Sequence, residues 1–320
     1  MAEEIKLKKV VEAKEPKAEK AAKKADPVGA SIDIATQQMI RRAQELGVET
    51  VFDRAEAMKP CNIGIQGTCC KNCAMGPCRL PLTKSAEDGP DERKGLCGAT
   101  ANTIAARNFA RMVAAGASAH SDHGRGVAEV FMSVAKKETH DYKIKDPEKL
   151  IAVAPNFGVA TTVEVDGATI DRDLDEIALE VADKALNEWG KSSGTLEYLK
   201  RAPAPLYERW KKLGVLPRNI DRETVEIMHR THMGVDQDYK NLVKQCTRAA
   251  LADGWGGSMI ATDLQDVLFG TPFPLQSEAN LGIMKEDHVN IIIHGHEPIL
   301  SEMIVAASQS QEMLDYAKTK

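Results

Sequence analysis

"GTCCKNCAMGPC", residues 67–78, places Cys69, Cys70, Cys73 and Cys78 within twelve positions. Cys61 precedes this stretch and Cys97 follows it, so six of the chain's seven cysteines fall between residues 61 and 97. One tetrahedral metal site uses four thiolates, which leaves two to be explained. The run from 61 to 97 is also rich in Gly and Pro. Backbone turns of that kind can wrap an inorganic cluster, which one regular helix or strand face cannot do.

Thiolates suit zinc and iron-sulfur clusters alike, so spacing has to separate them. Cys70, Cys73, Cys78 and Cys97 read C-x2-C-x4-C-x18-C. Three ligands come from one tight loop and the fourth closes from a distance, as is common for a 4Fe-4S cluster. A zinc ribbon more often shows two C-x2-C knuckles, and this chain has one. The spacing favours a cluster, and a zinc-stabilised helical interaction protein stays as an alternative. Cys61 and Cys69 remain. Cys69 and Cys70 are neighbours whose side chains are directed apart, which places them poorly for sharing one cluster. Two thiolates make half a site, and a two-fold axis near this pair would bring the same two from a second copy. The surplus pair therefore predicts a homodimer with one cluster bridging the axis. Four thiolates suit either a 4Fe-4S or a 2Fe-2S core there.

The composition agrees with such a protein. A chain of 320 residues can form one large domain or two ordinary ones. Hydrophobic residues at 43% and charged residues at 28% are ordinary for a soluble protein. Aromatics at 4%, with abundant alanine, lean towards helices. A net charge of -5 gives no reason to expect nucleic acid or an anionic membrane as a partner. No apolar run is long enough for a membrane span, and the amino terminus lacks the apolar core of a secretory signal. A cytoplasmic location is expected, where clustered cysteines serve as metal ligands more often than as disulfides.

Along the chain, residues 1–30 mix eight lysines with five glutamates and have little to bury, so they read as a disordered charged tail. Residues 31–265 read as a mainly α-helical domain carrying the Fe-S-binding loops. Ser31 or Asp33 offers an N-cap for its first helix and Gly47 a stop. A strong Ala-rich helix follows the cysteines from about residue 98, and "IAVAPNFGVATTVEVDGATI" predicts one short hairpin. Further helices are expected over "DLDEIALEVADKALNEW", "RETVEIMHRTHM" and "YKNLVKQCTRAALADGW". Cys246 sits in the last of these and reads as a small buried hydrophobe. Residues 266–320 differ: "HVNIIIHGHEPILSEMIVAAS" predicts a short buried strand, a turn with His294 and His296, and a helix, the start of an α/β (Rossmann-like) domain.

"CNIGIQGTCCKNCAMGPCRL", with "GLCGAT", "IAARNFARMVAAGASAHSDHG", "ATDLQDVLFGTP", "SEANLG" and "HGHEPILSE", resembles the catalytic subunit of anaerobic nickel-iron carbon monoxide dehydrogenases, from about Ala35 onward. The paired Cys69 and Cys70 after Cys61 separate it from the related hybrid-cluster (prismane) proteins. The resemblance implies that Cys61 and Cys69 belong to a D-cluster between two subunits, and Cys70, Cys73, Cys78 and Cys97 to a B-cluster within one. It implies that His296 is a ligand of a nickel-iron-sulfur C-cluster, with His294 beside it. Asp253, in "ALADGW", matches an aspartate that assists proton handling; without the resemblance its Asp-Gly would read as a turn. His120 and His123 match the start of a histidine series at three-residue steps, a proton path along one helix face. The next positions here are Gly126 and Glu129, so such a path would need Glu129 or water.

The implied reaction interconverts carbon monoxide and water with carbon dioxide, protons and electrons. The electrons leave through the B- and D-clusters to a ferredoxin-like carrier, a hydrogenase or an acetyl-CoA synthase. Family chains are about twice as long, and the remaining C-cluster cysteines lie beyond the point matching Lys320. The expectation is therefore an amino-terminal portion that is inactive alone, with a non-catalytic electron-transfer or assembly module as the alternative.

Overall fold

A computed structural model of the chain describes residues 26–58, 61–81, 93–271, 289–293 and 298–319. The described residues fall into two compact units: 26–58, 289–292 and 315–319 in the first, and 61–81, 93–271, 293 and 298–314 in the second.

In the first unit a 3-10 turn, Pro27–Ala30, is capped by Asp26 and buries Val28. Helix α1 (Ile34–Glu45) starts at Asp33, whose carboxylate accepts from the Thr36 N–H at 2.6 Å. The chain leaves this helix through Gly47 at φ +65°, a left-handed conformation that costs glycine little. Helix α2 (Val51–Ala57) begins with a capping box between Thr50 and Asp53.

The second unit opens with a single helical turn, α3 (Asn62–Ile65), and a two-stranded ladder of β1 (Cys69–Cys70) and β2 (Cys78–Arg79). Its axis is α4 (Ala101–Ala135), capped by Thr100, whose hydroxyl accepts from the Thr103 N–H. At 1.5 Å per residue, 35 residues extend about 52 Å. Small residues dominate its buried faces, Ala110, Ala114, Ala117 and Ala128 among them, so neighbours approach closely.

Helix α5 (Pro147–Val153) and a 3-10 turn (Ala154–Phe157) precede the hairpin of β3 (Thr162–Val165) and β4 (Ala168–Asp171). The amino-terminal third of the stretch expected to hold the hairpin is therefore helical, and the hairpin forms in the remainder. Asp166 and Gly167, at φ +52° and +79°, make the tight connection. Then come α6 (Leu174–Gly190), α7 (Ala204–Leu213), α8 (Ile220–Arg230), α9 (Tyr239–Ala252), a π-helical segment (Asp253–Ser258) and α10 (Met259–Phe269). Helices α6, α8, α9 and α10 and the π segment all pack on α4. The largest core cluster joins Phe131 of α4 to Ile177, Val181, Leu199, Ile260 and Leu264. Each such side chain, fully buried, contributes about 1.5–3 kcal/mol.

Where α4 meets the π segment the backbones nearly touch. A Cβ on Gly124 would lie 2.5 Å from the Gly257 carbonyl oxygen, and one on Gly257 would lie 3.2 Å from the backbone of His120 and Ser121. Helix α10 runs through residue 265. Beyond it, α11 (Pro298–Ser308) and α12 (Gln311–Ala317) are described. Residues 289–293 do not form the expected strand, because a strand needs a hydrogen-bonded partner and none of the described residues provides one. Val289, Ile291 and Ile292 are exposed there. Among the described residues no helix is long and apolar enough to cross a membrane.

Candidate functional site

The ladder sorts the cysteines. Cys70 pairs with Cys78 and Cys69 with Arg79, and successive strand residues face opposite sides. Cys70 is buried against Leu80, Ala99 and Ile104, with Cys78 and Cys97 packed on the same cluster. Cys70, Cys73, Cys78 and Cys97 all line one cavity, while Cys61 and Cys69 do not. Cys61 is exposed and Cys69 half-buried.

Backbone N–H groups point at the sulfurs. Leu96 N donates to Cys78 Sγ at 3.4 Å. Gly95 allows this close approach, since a Cβ there would lie 3.2 Å from Cys78 Cβ and Sγ. The Cys97 thiol is pushed up by burial. That is outweighed by the Arg107 guanidinium and the N–H groups of Ala99 and Gly234, which bring it down to about 7. The N–H groups of Gly64 and Ile63, with help from Arg79, hold the Cys61 thiol below its ordinary value. Both sulfurs are thus prepared for the thiolate form that a metal requires.

The loop after α8 lines the cavity through Thr231 and Met233 and is tied to its rim. Gln237 Nε2 donates to the Cys97 carbonyl at 2.8 Å, and Thr103 Oγ1 donates to the Gln237 carbonyl at 2.8 Å. Asn108, on α4, donates to the carbonyls of Gly67 and Cys69 at 2.8 and 3.1 Å, tying the cysteine loop to the helix. These residues carry no cysteine motif and are invisible to a spacing argument. Arg107 is different: an arginine within the apolar row Ile104, Ala110 and Ala114 was a signal in the sequence, since a charge on a core face calls for a partner.

The donor set fits an iron-sulfur cluster. Four tetrahedral zinc bonds of about 2.3 Å bring sulfurs to about 3.8 Å of one another. Among the described residues no three His, Cys, Asp or Glu side chains stand close enough to hold a single ion. A cluster puts each thiolate on a different iron, so its four sulfurs spread around a larger body. Four cysteines around a cavity, with N–H groups aimed at sulfur, have that form.

The second set of candidate residues lies further along α4. His120 Nδ1 and Asp253 Oδ1 are 2.9 Å apart, joining α4 to the first residue of the π segment. Asp253 is half-buried; burial raises its carboxyl above the ordinary range, and His120 opposes this. π-helical segments occur often at functional sites, and this one turns the Asp253 carboxylate towards α4 where a simple turn was the bland expectation. His123 Nε2 stands 3.0 Å from Gln265 Nε2. Gly126 and Glu129 follow on α4, and Glu129 is exposed. Cys246 is buried, donates to the Leu242 carbonyl at 3.2 Å and lies away from the cysteine cavity. His294 and His296 lie outside the described residues.

Comparison with known proteins identifies the family and the fold. Residues 68–320 match the Prismane/CO dehydrogenase family. Carbon monoxide dehydrogenase 1 of Methanosarcina mazei is 49% identical over 292 residues, covering 91% of this chain and 44% of that protein. A nickel-free structure of carbon monoxide dehydrogenase from Thermococcus sp. AM4 superposes with a TM-score of 0.77 at 47% identity, over 92% of this chain and 45% of that one. An acetyl-CoA synthase/carbon monoxide dehydrogenase structure, described as holding NiZn[Fe4S4] and NiNi[Fe4S4] clusters in its alpha subunits, gives a TM-score of 0.75 at 38% identity, over 94% of this chain and 43% of that chain. The chain spans less than half the length of these relatives.

Proposed function

The chain belongs to the Prismane/CO dehydrogenase family, and from that premise we propose that it is the amino-terminal portion of an anaerobic, nickel-dependent carbon monoxide dehydrogenase. The reaction is the oxidation of carbon monoxide with water to carbon dioxide, protons and electrons, or its reverse. In this proposal residues 31–265 are the domain that carries the clusters and 266–320 open an α/β domain, with α10 crossing between them.

Cys70, Cys73, Cys78 and Cys97 would hold a 4Fe-4S cluster within one chain. Cys61 and Cys69, joined by the same pair from a second copy, would hold a 4Fe-4S or 2Fe-2S cluster across a homodimer. Such clusters, when bound, supply uptake and release of single electrons. A nickel-iron-sulfur centre would take its histidine from His296 and would need further thiolates beyond those of residues 61–97, so activity would belong to a protein that includes them.

Around that centre the chain's own residues handle protons. Asp253, with its raised proton affinity, shares a proton between its Oδ1 and His120 Nδ1. His123 takes the next position, and passage beyond Gly126 runs over water or Glu129. A ferredoxin-like carrier in the cytoplasm, or an acetyl-CoA synthase as in the combined relative, would take the electrons.

The observation that supports this reading most strongly is the single cavity lined by four cysteines and a buried guanidinium. Its test is anaerobic reconstitution with iron and sulfide. A brown protein with a paramagnetic signal on reduction is expected, and a colourless protein holding zinc would contradict it. In the complete enzyme, Asp253→Asn is expected to lower carbon monoxide-dependent dye reduction by about 10²- to 10⁴-fold.

A further inference from the structure

Among the described residues Arg107 is the only lysine or arginine that is fully buried, at 1% exposure. The buried carboxylates all have a cation: Glu188 has Lys191, Glu223 has Arg218 and Arg248, and Asp263 has Arg201 and Lys149. Among the described residues no carboxylate pairs with Arg107. Its Nη2 donates to the Asp236 carbonyl at 2.8 Å, its Nη1 to Cys97 Sγ at 3.5 Å, and its Nε has no partner. An uncompensated cation in the interior is costly, so the position implies a negative charge beside it, and in place of a carboxylate the guanidinium meets the sulfur of Cys97, one of the four thiols around the cavity. The cavity beside it is lined by the four cysteines.

Building on the cluster reading above, we propose that Arg107 is the internal counter-charge of the cluster held by Cys70, Cys73, Cys78 and Cys97, and that it raises the reduction potential of that cluster. Reduction adds an electron to a body that four thiolates already make negative. A fixed guanidinium against one sulfur stabilises the reduced form more than the oxidised one, and hydrogen bonds to cluster sulfur act in the same direction. Arg107 touches a ligand atom and takes no part in bond making, so it is a tuning residue. It would favour this cluster as a resting place for electrons.

The test uses the full chain, produced anaerobically and supplied with iron and sulfide, and follows by potentiometric titration the paramagnetic signal that Cys73→Ser abolishes. Arg107→Met removes the charge at similar volume, and Arg107→Lys keeps it. With wild-type iron content, Arg107→Met is expected to lower the reduced-to-oxidised ratio at fixed potential at least tenfold, a shift of about 59 mV for a one-electron couple. Arg107→Lys is expected to stay closer to wild type. An unchanged midpoint in Arg107→Met overturns the proposal, and so does an equal shift in both variants. If Arg107→Met does not fill, Arg107→Lys decides: filling with a near wild-type midpoint supports the counter-charge, and failure to fill marks a structural role and overturns it. An iron-free wild type would instead refute the cluster reading, a separate failure.

Discussion

Helix α4 carries two sites of opposite construction. At its amino-terminal end, Arg107 meets a cavity whose four cysteines come from one stretch, residues 70–97. Thirteen residues on, about 20 Å along the axis, His120 meets Asp253, which lies 133 positions later in the chain. The first site is assembled by loops that must wrap whatever they hold, so its ligands stay near one another in sequence. The second exists only because α4 and the π segment cross closely enough, Gly124 against Gly257, to bring two distant side chains together. One helix thus walls the cysteine cavity and supports the His120–Asp253 pair, and under the proposed function the two should fail independently.

Cysteine substitution should give the largest effect. Cys73→Ser is expected to cost about four irons per chain, a whole cluster and not a single ion, while leaving the bridging iron. Cys61→Ser should do the reverse, losing the shared cluster and the dimer while the quartet stays filled. Iron determination with gel filtration separates these outcomes, and equal losses would break the division into two cysteine sets.

Next comes the crossing. Gly124→Ala drives a methyl group into the Gly257 carbonyl and is expected to destabilise by about 1–3 kcal/mol in urea unfolding, with cluster iron retained. Gly116, exposed on the same helix, has nothing within 4 Å of an added Cβ. The same substitution there should stabilise by about 0.5–1 kcal/mol. Equal signs at the two positions would remove the close crossing as the cause.

A smaller effect concerns pH. Burial raises the Asp253 carboxyl above its ordinary value of 3.8, so its ionisation is less favourable in the folded chain than in the unfolded one. The contribution of Asp253 is then largest below that value and falls as pH rises through the raised folded value. Relative to Asp253→Asn, wild-type stability should decline over that window, and a difference flat in pH would contradict the assignment. The smallest effect is expected at Cys246, whose thiol burial pushes up. Cys246→Ala should cost about 1 kcal/mol or less and leave the iron content unchanged.

Much of the helical structure in both units was legible in the sequence. The Asp33 cap, the long helix after the cysteines and the helices from residues 174, 220 and 239 follow from capping and apolar spacing. From sequence alone Cys69 and Cys70 are neighbours directed apart within a loop, and the short ladder that sets them on opposite faces is not legible there. Other features depended on distant contacts. The π segment reads locally as an Asp-Gly turn and is held in place by the packing of α4. The hairpin expected within residues 151–170 forms at the carboxyl end of that stretch, while Ala154 and Phe157 at its amino end join the helical core, a division that apolar spacing alone did not show. The run at 289–293 has strand composition without a strand to pair with among the described residues. Arg107, Asn108 and Gln237 support the cysteine loop from positions that only the fold brings together.

Native mass spectrometry of the chain, filled anaerobically with iron and sulfide, tests the division of the cysteines most directly. The account predicts a dimer carrying three clusters, one in each copy and one shared, and a Cys61→Ser chain that is monomeric with one. An iron-free monomer, or a dimer whose iron is untouched by Cys61→Ser, would contradict it.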